Sequence, residues 1–173
     1  MLFRSDKAFV AKLDENGNKL WSKIYPDFKS FDYVTVDRSG NIYLAAENGR
    51  LLALNKDGKL TWQRKIYPKY IERLKHAEEG VLVSGRDTKG FSIKHYGSDG
   101  KLQKRYTIGL KGISLFSYKY TKKGDLLAVG NQSLLPANFE GFCDVGEDKN
   151  AAVLLKYGKS GKLLWKKLIG GDR

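Results

Sequence analysis

Four segments of the chain are written to nearly one formula. Residues 12–21 read KLDENGNKLW, 54–62 read LNKDGKLTW, 95–102 read HYGSDGKL and 156–165 read KYGKSGKLLW. Their glycines, Gly17, Gly58, Gly100 and Gly161, are separated by steps of 41, 42 and 61 residues. A second set, Gly40, Gly80 and Gly124, falls between them at steps of 40 and 44. Each unit of about 40 residues thus carries two hairpin signals, which implies four strands. The chemistry suits tight turns. Asn16-Gly17, Asp57-Gly58 and Asp99-Gly100 place a glycine where positive φ is needed, and Ser160-Gly161 is a weaker version. An α-solenoid of similar period needs helical periodicity and would not hold such dipeptides in mid-unit.

Polarity changes across the unit. The second strand of each (NIYLAA, VLVSG, DLLAVG) is apolar throughout, which predicts burial on both faces. The fourth (LTWQRKIY, LQKRYTIG, LLWKKLIG) mixes apolar residues with Lys, Arg and Gln, as an outer edge does. Four-stranded sheets stacked face to face with polarity rising outward describe the blades of a β-propeller. The expected fold is therefore all-β, a β-propeller of four-stranded antiparallel blades. Trp21, Trp62 and Trp165 each follow their turn glycine by four residues, and Lys104 takes that place in the third unit. One Trp per repeat on the outer strand predicts a wedge packed between neighbouring blades.

The units fall at about 31–67, 70–109 and 112–170, with an incomplete one at about 1–27. This predicts three and a half to four blades in a propeller domain, or half-propeller, spanning 1–173. Three arrangements follow: a fragment of a longer propeller, two chains closing one ring through their blade faces, or a small four-bladed ring.

These pieces resemble bacterial propeller repeats of the pyrroloquinoline-quinone-like type and related "GNIYVAG…AKLDxNGNxLW" repeats. The matching stretches are Ser39–Leu44, Leu51–Gly58, Phe9–Asp14 and the Trp at its shared offset. Such repeats occur in quinone enzymes, outer-membrane assembly proteins and cell-surface propellers. The resemblance thus implies a periplasmic or cell-surface location, although MLFRSDKAFVAKLD holds no hydrophobic stretch of signal-peptide type. The chain departs from the quinone enzymes in having no vicinal cysteine pair and no evident metal-binding acid set.

The long step locates the main irregularity. The excess falls at 131–150, NQSLLPANFEGFCDVGEDKN, between the second and third strands of the last unit. Long loops on rigid scaffolds often carry function. Phe139 and Phe142 offer an apolar contact; Asp144, Glu147, Asp148 and Asn150 form an oxygen-rich group. Ca²⁺ takes roughly six to eight such oxygens, but the spacing is not that of an EF-hand. Cys143 is the sole cysteine, so no intrachain disulfide forms. A catalytic thiol needs a base, and nothing places His76 or His95 beside it.

The charge is lopsided, with 32 Lys+Arg against 19 Asp+Glu, a net +13. Such a field draws acidic partners. The cations are spread along the chain rather than massed, so nucleic acid is not the expected partner. No apolar run approaches the roughly 20 residues of a membrane span. The expected function is a non-catalytic binding scaffold that recognises a protein or glycan through rim loops. The alternative is a fragment of a propeller enzyme such as a quinone-dependent dehydrogenase. No cofactor is expected; Ca²⁺ and pyrroloquinoline quinone are the candidates if one is bound.

Overall fold

Glycine sets the turns, and it sets them in one form. In the computed structural model, which describes residues 7–67, 71–87, 90–110, 112–133 and 150–170, the hairpins repeat a single pair of backbone bonds. Asp14 N–H donates to Asn18 C=O at 2.9 Å, and Gly17 N–H donates back to Asp14 C=O at 3.1 Å. The same pair closes the turns that end at Gly40, Gly58, Gly100, Gly124 and Gly161. Each of those glycines, with Gly80, lies at φ between +73° and +85°. Their non-glycine neighbours in the turns do not lie at positive φ, so the loop is a three-residue hairpin with a glycine bulge rather than a two-residue turn. A side chain reinforces it. The Asp14 carboxylate accepts from Asn16 N–H at 2.9 Å and Asn18 N–H at 2.7 Å. Asn55 does the same for Asp57 and Lys59.

These turns join fourteen strands among the described residues. A two-stranded sheet holds β1 (Ala8–Leu13) and β2 (Lys19–Tyr25). Three four-stranded antiparallel sheets follow in chain order. The first holds β3 (Phe31–Val36), β4 (Ile42–Ala46), β5 (Arg50–Leu54) and β6 (Leu60–Lys65). The second holds β7 (Ile71–His76), β8 (Val81–Asp87), β9 (Gly90–Tyr96) and β10 (Leu102–Ile108). The third holds β11 (Ile113–Tyr120), β12 (Leu126–Ser133), β13 (Asn150–Tyr157) and β14 (Leu163–Ile169). These are propeller blades, and their number fits the three and a half to four read from the repeat.

The chain divides into two compact units after Arg105, within β10. In the first unit the cores lie between sheets. Ala8, Phe28, Val10, Trp21 and Tyr25 meet Ile42, Leu44, Leu52 and Leu54. On the far face of that sheet Tyr43, Ala45, Leu51, Ala53 and Trp62 meet Ile71, Leu74, Val81, Val83 and Tyr96. Each fully buried Leu or Val in these seams stabilises by about 1.5–3 kcal/mol. In the second unit Tyr106 sets its ring edge-on to Tyr157 at 5.6 Å and shares a hydroxyl hydrogen bond with Tyr120 at 3.0 Å. Burial pushes the Tyr157 phenol up to about 12, so it stays neutral.

One expectation about burial needs correction. The second strands β4 and β8 are buried on both faces, but β12 alternates: Leu126 and Ala128 are buried while Leu127 and Val129 are exposed. An apolar composition does not bury a face unless another sheet covers it.

The first four-stranded sheet is tied by one carboxylate. Asp37 accepts from Ser39 N–H, Asn41 N–H, Asn41 Nδ2 and the buried Tyr43 hydroxyl, all at 2.9 Å. Burial pushes its carboxyl up, but the bonds from Asn41, Tyr43 and Ser39 outweigh that and hold it below the usual range. A depressed carboxylate contributes stability that is present above its unfolded pKa of about 3.9 and is lost as pH falls through the folded value. Asp37→Asn is therefore expected to cost about 1–2 kcal/mol at pH 7. In urea titrations run from pH 7 downward, that gap should narrow below about pH 4. A gap that holds constant through that range would count against the carboxylate.

Candidate functional site

Two outer strands, β2 and β6, each lay a tryptophan on the next blade's turn. Trp21 of β2 lies so close to Gly58 that a Cβ there would sit 2.9 Å from the indole; for Trp62 of β6 and Gly100 the figure is 2.8 Å. The glycine of the formula thus serves twice, for positive φ and as a flat seat. Trp62 Nε1 donates to Ser98 C=O at 2.8 Å. The equivalent acceptor for Trp21, Lys56 C=O, is taken by Lys12 Nζ at 3.3 Å, and Trp21 Nε1 is buried without a hydrogen-bond partner. Lys23 Nζ donates to Gly58 C=O at 2.8 Å. Trp165 of β14 is exposed, and Gly161 lies at φ +85°.

Beyond Trp62 the strand runs on as Gln63-Arg64-Lys65, and these three form one wall of a cleft of about 630 Å³. The other wall is Tyr96, Gly100, Lys101 and Leu102, from the end of β9 to the start of β10. Among the described residues, no hydrogen bond or ion pair engages the side chains of Arg64 or Lys65. Lys101 faces one acid, Asp99, at 3.4 Å. The backbone N–H of Lys101 holds the Asp99 carboxyl below its usual range. Burial pushes the Tyr96 phenol up, leaving it a neutral donor. β6 is an edge strand, so its outer row of backbone groups is paired with no neighbouring strand. The cleft combines three cations, two neutral donors and a free strand edge.

A second polar cluster is built where β8 turns into β9. Lys94 Nζ donates to Ile66 C=O at 2.8 Å, lies 3.3 Å from the Asp87 carboxylate, and sits 4.0 Å over the Tyr67 ring. Arg105 Nη2 reaches both Asp87 oxygens at 3.0 Å. Tyr67 in turn donates to Ser92 C=O at 2.9 Å. Burial pushes the Lys94 ammonium below its usual range, Asp87 opposes that, and Arg105 adds to it. Apart from the turn glycine Gly100, neither the cleft nor this cluster is among the residues the sequence singled out. The Gln-Arg-Lys run of β6 was legible only as an outer edge.

Phe139, Phe142, Asp144, Glu147 and Asp148 lie outside the described residues, as does Cys143. β12 ends at Ser133 and β13 begins at Asn150, so the insertion joins those two strands. His76 is exposed, and His95 Nε2 lies 2.8 Å from Glu79 C=O. Among the described residues no group of three or more His, Cys, Asp or Glu is arranged to hold a metal. No helix among them is long and apolar enough to cross a membrane.

No protein-family model matches the chain, so the pyrroloquinoline-quinone-like repeat family is not established. No curated protein matches it either. Solved structures do. The Pan2 WD40 domain of Neurospora crassa matches with 14% identity and a TM-score of 0.58, over 97% of this chain and 46% of that one. The β-propeller domain of Cps50 (Swd1) from Myceliophteria thermophila matches with 12% identity and a TM-score of 0.50, over 81% of this chain and 43% of that one. BamB from Moraxella catarrhalis matches at 10% identity over 95% of this chain and 61% of that one, with a TM-score of 0.37 that adds nothing to the fold. The chain is an all-β protein of the β-propeller fold. It spans about half the length of the first two propellers.

Proposed function

We propose that the chain is a non-catalytic binding scaffold, and that the cleft beside Trp62 takes an acidic segment of a partner protein. The observation that carries this is the wall of Arg64 and Lys65 facing Lys101, with neither Arg64 nor Lys65 engaged by an acid among the described residues. Unpaired cations at one place favour an anionic ligand over any other surface of the cleft's size. The free edge of β6 favours an extended peptide over a glycan, because a strand edge offers alternating N–H and C=O groups. Gln63 and the Tyr96 phenol add donors for peptide carbonyls. The rim insertion with Phe139, Phe142, Asp144, Glu147 and Asp148 is proposed as a second contact on the same scaffold. The alternative, part of a propeller enzyme, rests on the sequence resemblance alone.

The test is a fluorescence titration with a Glu-rich peptide and, in parallel, a polyuronic acid of matched charge. The peptide should bind, and binding should weaken as salt rises. Reversing the three cations together (R64E, K65E, K101E) should weaken it at least about tenfold. Equal affinity in the reversed variant would overturn the cleft, and preference for the polyuronic acid would move the reading to a glycan.

A further inference from the structure

The cleft beside Trp62 does not keep to one face of β6. Successive residues of a strand point to opposite faces. Arg64 pairs with Leu51 and Trp62 with Ala53, and Leu51, Ala53 and Trp62 pack towards the sheet of β7–β10. Lys65 pairs with Arg50, whose guanidinium lies 5.5 Å from the centre of the Phe28 ring, on the side of β1 and β2. Gln63 pairs with Leu52, which packs on that same side. Arg64 therefore faces one neighbouring sheet, while Gln63 and Lys65 face the other. All three line the one cleft. A cavity that touches both faces of a strand runs over its edge.

That edge is open to an occupant. Among the described residues β5 is the sole strand paired with β6. The turn that carries Lys101 is pinned against β6, because Trp62 Nε1 donates to Ser98 C=O at 2.8 Å and Gly100 seats the indole. Lys101 is thereby held on the Arg64 side of the edge. All of these residues belong to the first compact unit.

We propose that the acidic segment binds as a fifth strand along β6 and is read as two adjacent acids, one on each face. This rests on the reading of the cleft as a site for an acidic segment. One carboxylate lies beside Arg64, points towards the sheet of β7–β10 and meets Lys101 as well. The next lies beside Lys65 and points the other way, with the Gln63 amide as a further donor on that face. Backbone bonds to the edge supply affinity, and the alternation of side chains sets the spacing. Two acids separated by one residue share a face and leave one of the two cations of β6 unmatched.

The test is a fluorescence titration of the full chain at low salt with two capped peptides of one composition. Each carries two Glu among Thr and Val, which favour an extended chain. The Glu are adjacent in one peptide and separated by a single Thr in the other. Net charge is equal, so charge attraction alone binds them equally. The adjacent peptide should bind at least about threefold tighter, the worth of one cross-strand ion pair. Methylating its backbone nitrogens one at a time should weaken binding at alternate positions, because every second N–H faces β6. In Lys65→Glu, peptides with Glu-Lys and Lys-Glu in place of the acid pair should differ in affinity, since one order alone sets each charge against its opposite. Equal affinity for the two spacings, with binding that still weakens as salt rises, overturns the strand and leaves the acidic cleft standing. Loss at every methylated nitrogen or at none, or indifference to the order of Glu and Lys, overturns it too. If neither peptide binds, the cleft falls and the strand with it.

Discussion

Asp87→Ala is expected to lower the stability of the first unit by about 3–5 kcal/mol, measured by urea denaturation. Asp87 is the sole acid between Lys94 and Arg105, whose side chains are 9% and 28% exposed. Without it, Lys94 keeps the Ile66 carbonyl and the Tyr67 ring but faces the Arg105 guanidinium across a gap. Two poorly hydrated cations then repel, and the cost is that of buried charge left uncompensated. The contrast is Lys94→Met, which leaves Asp87 paired with both bonds to Arg105 and replaces a buried stem with an apolar one of similar reach. It should cost about 1 kcal/mol, because removing a buried ammonium also removes its desolvation. Equal losses in the two variants would mean that the carboxylate does not balance the pair.

Gly49→Val is expected to cost about 2–6 kcal/mol, from positive-φ strain of about 1–3 and overpacking of about 1–3. Gly49 lies at φ +71° at the end of the short turn Glu47–Gly49. Its carbonyl accepts from Ile66 N–H at 2.9 Å and Tyr67 N–H at 3.3 Å. A Cβ there lands on the Tyr67 carbonyl, so the backbone that links β6 to the next sheet must move. Gly90 separates the two causes. It has φ +99° but open space around it, so Gly90→Val should cost the strain alone. Thermal melts of the two variants compare them directly. If Gly90→Val proves as damaging as Gly49→Val, the clash with Tyr67 is not the cause.

The strands and turns were legible because their signal is local. Gly17, Gly40, Gly58, Gly80, Gly100, Gly124 and Gly161 all take the positive φ their sequence context demands. Asn48-Gly49 was equally legible and went unused; both residues lie at positive φ, turning β4 into β5. The role of the first turn residue was also on the page, since Asp14, Asp37 and Asn55 recur three before the glycine and accept its neighbours' N–H groups. The Lys94–Asp87–Arg105 cluster was not. Its members lie 7 and 18 residues apart on different strands, and a lone Lys in a strand reads as surface charge. The cleft likewise needs two sheets to meet. The oxygen-rich and aromatic residues of the 131–150 loop were chosen for chemistry, and no local pattern says where such a loop lies.

The seat that Gly58 gives Trp21 and Gly100 gives Trp62 has a consequence for ancestry. Each seam is specified by a tryptophan and by a glycine 37 or 38 residues further on, and by little else that is particular to its place in the chain. Duplicating or deleting one period therefore leaves every remaining seam correctly addressed. A gene of this kind can change its blade number in a single recombination and still encode matching wedges. The third unit, where Lys104 stands in the tryptophan's place, carries no such address.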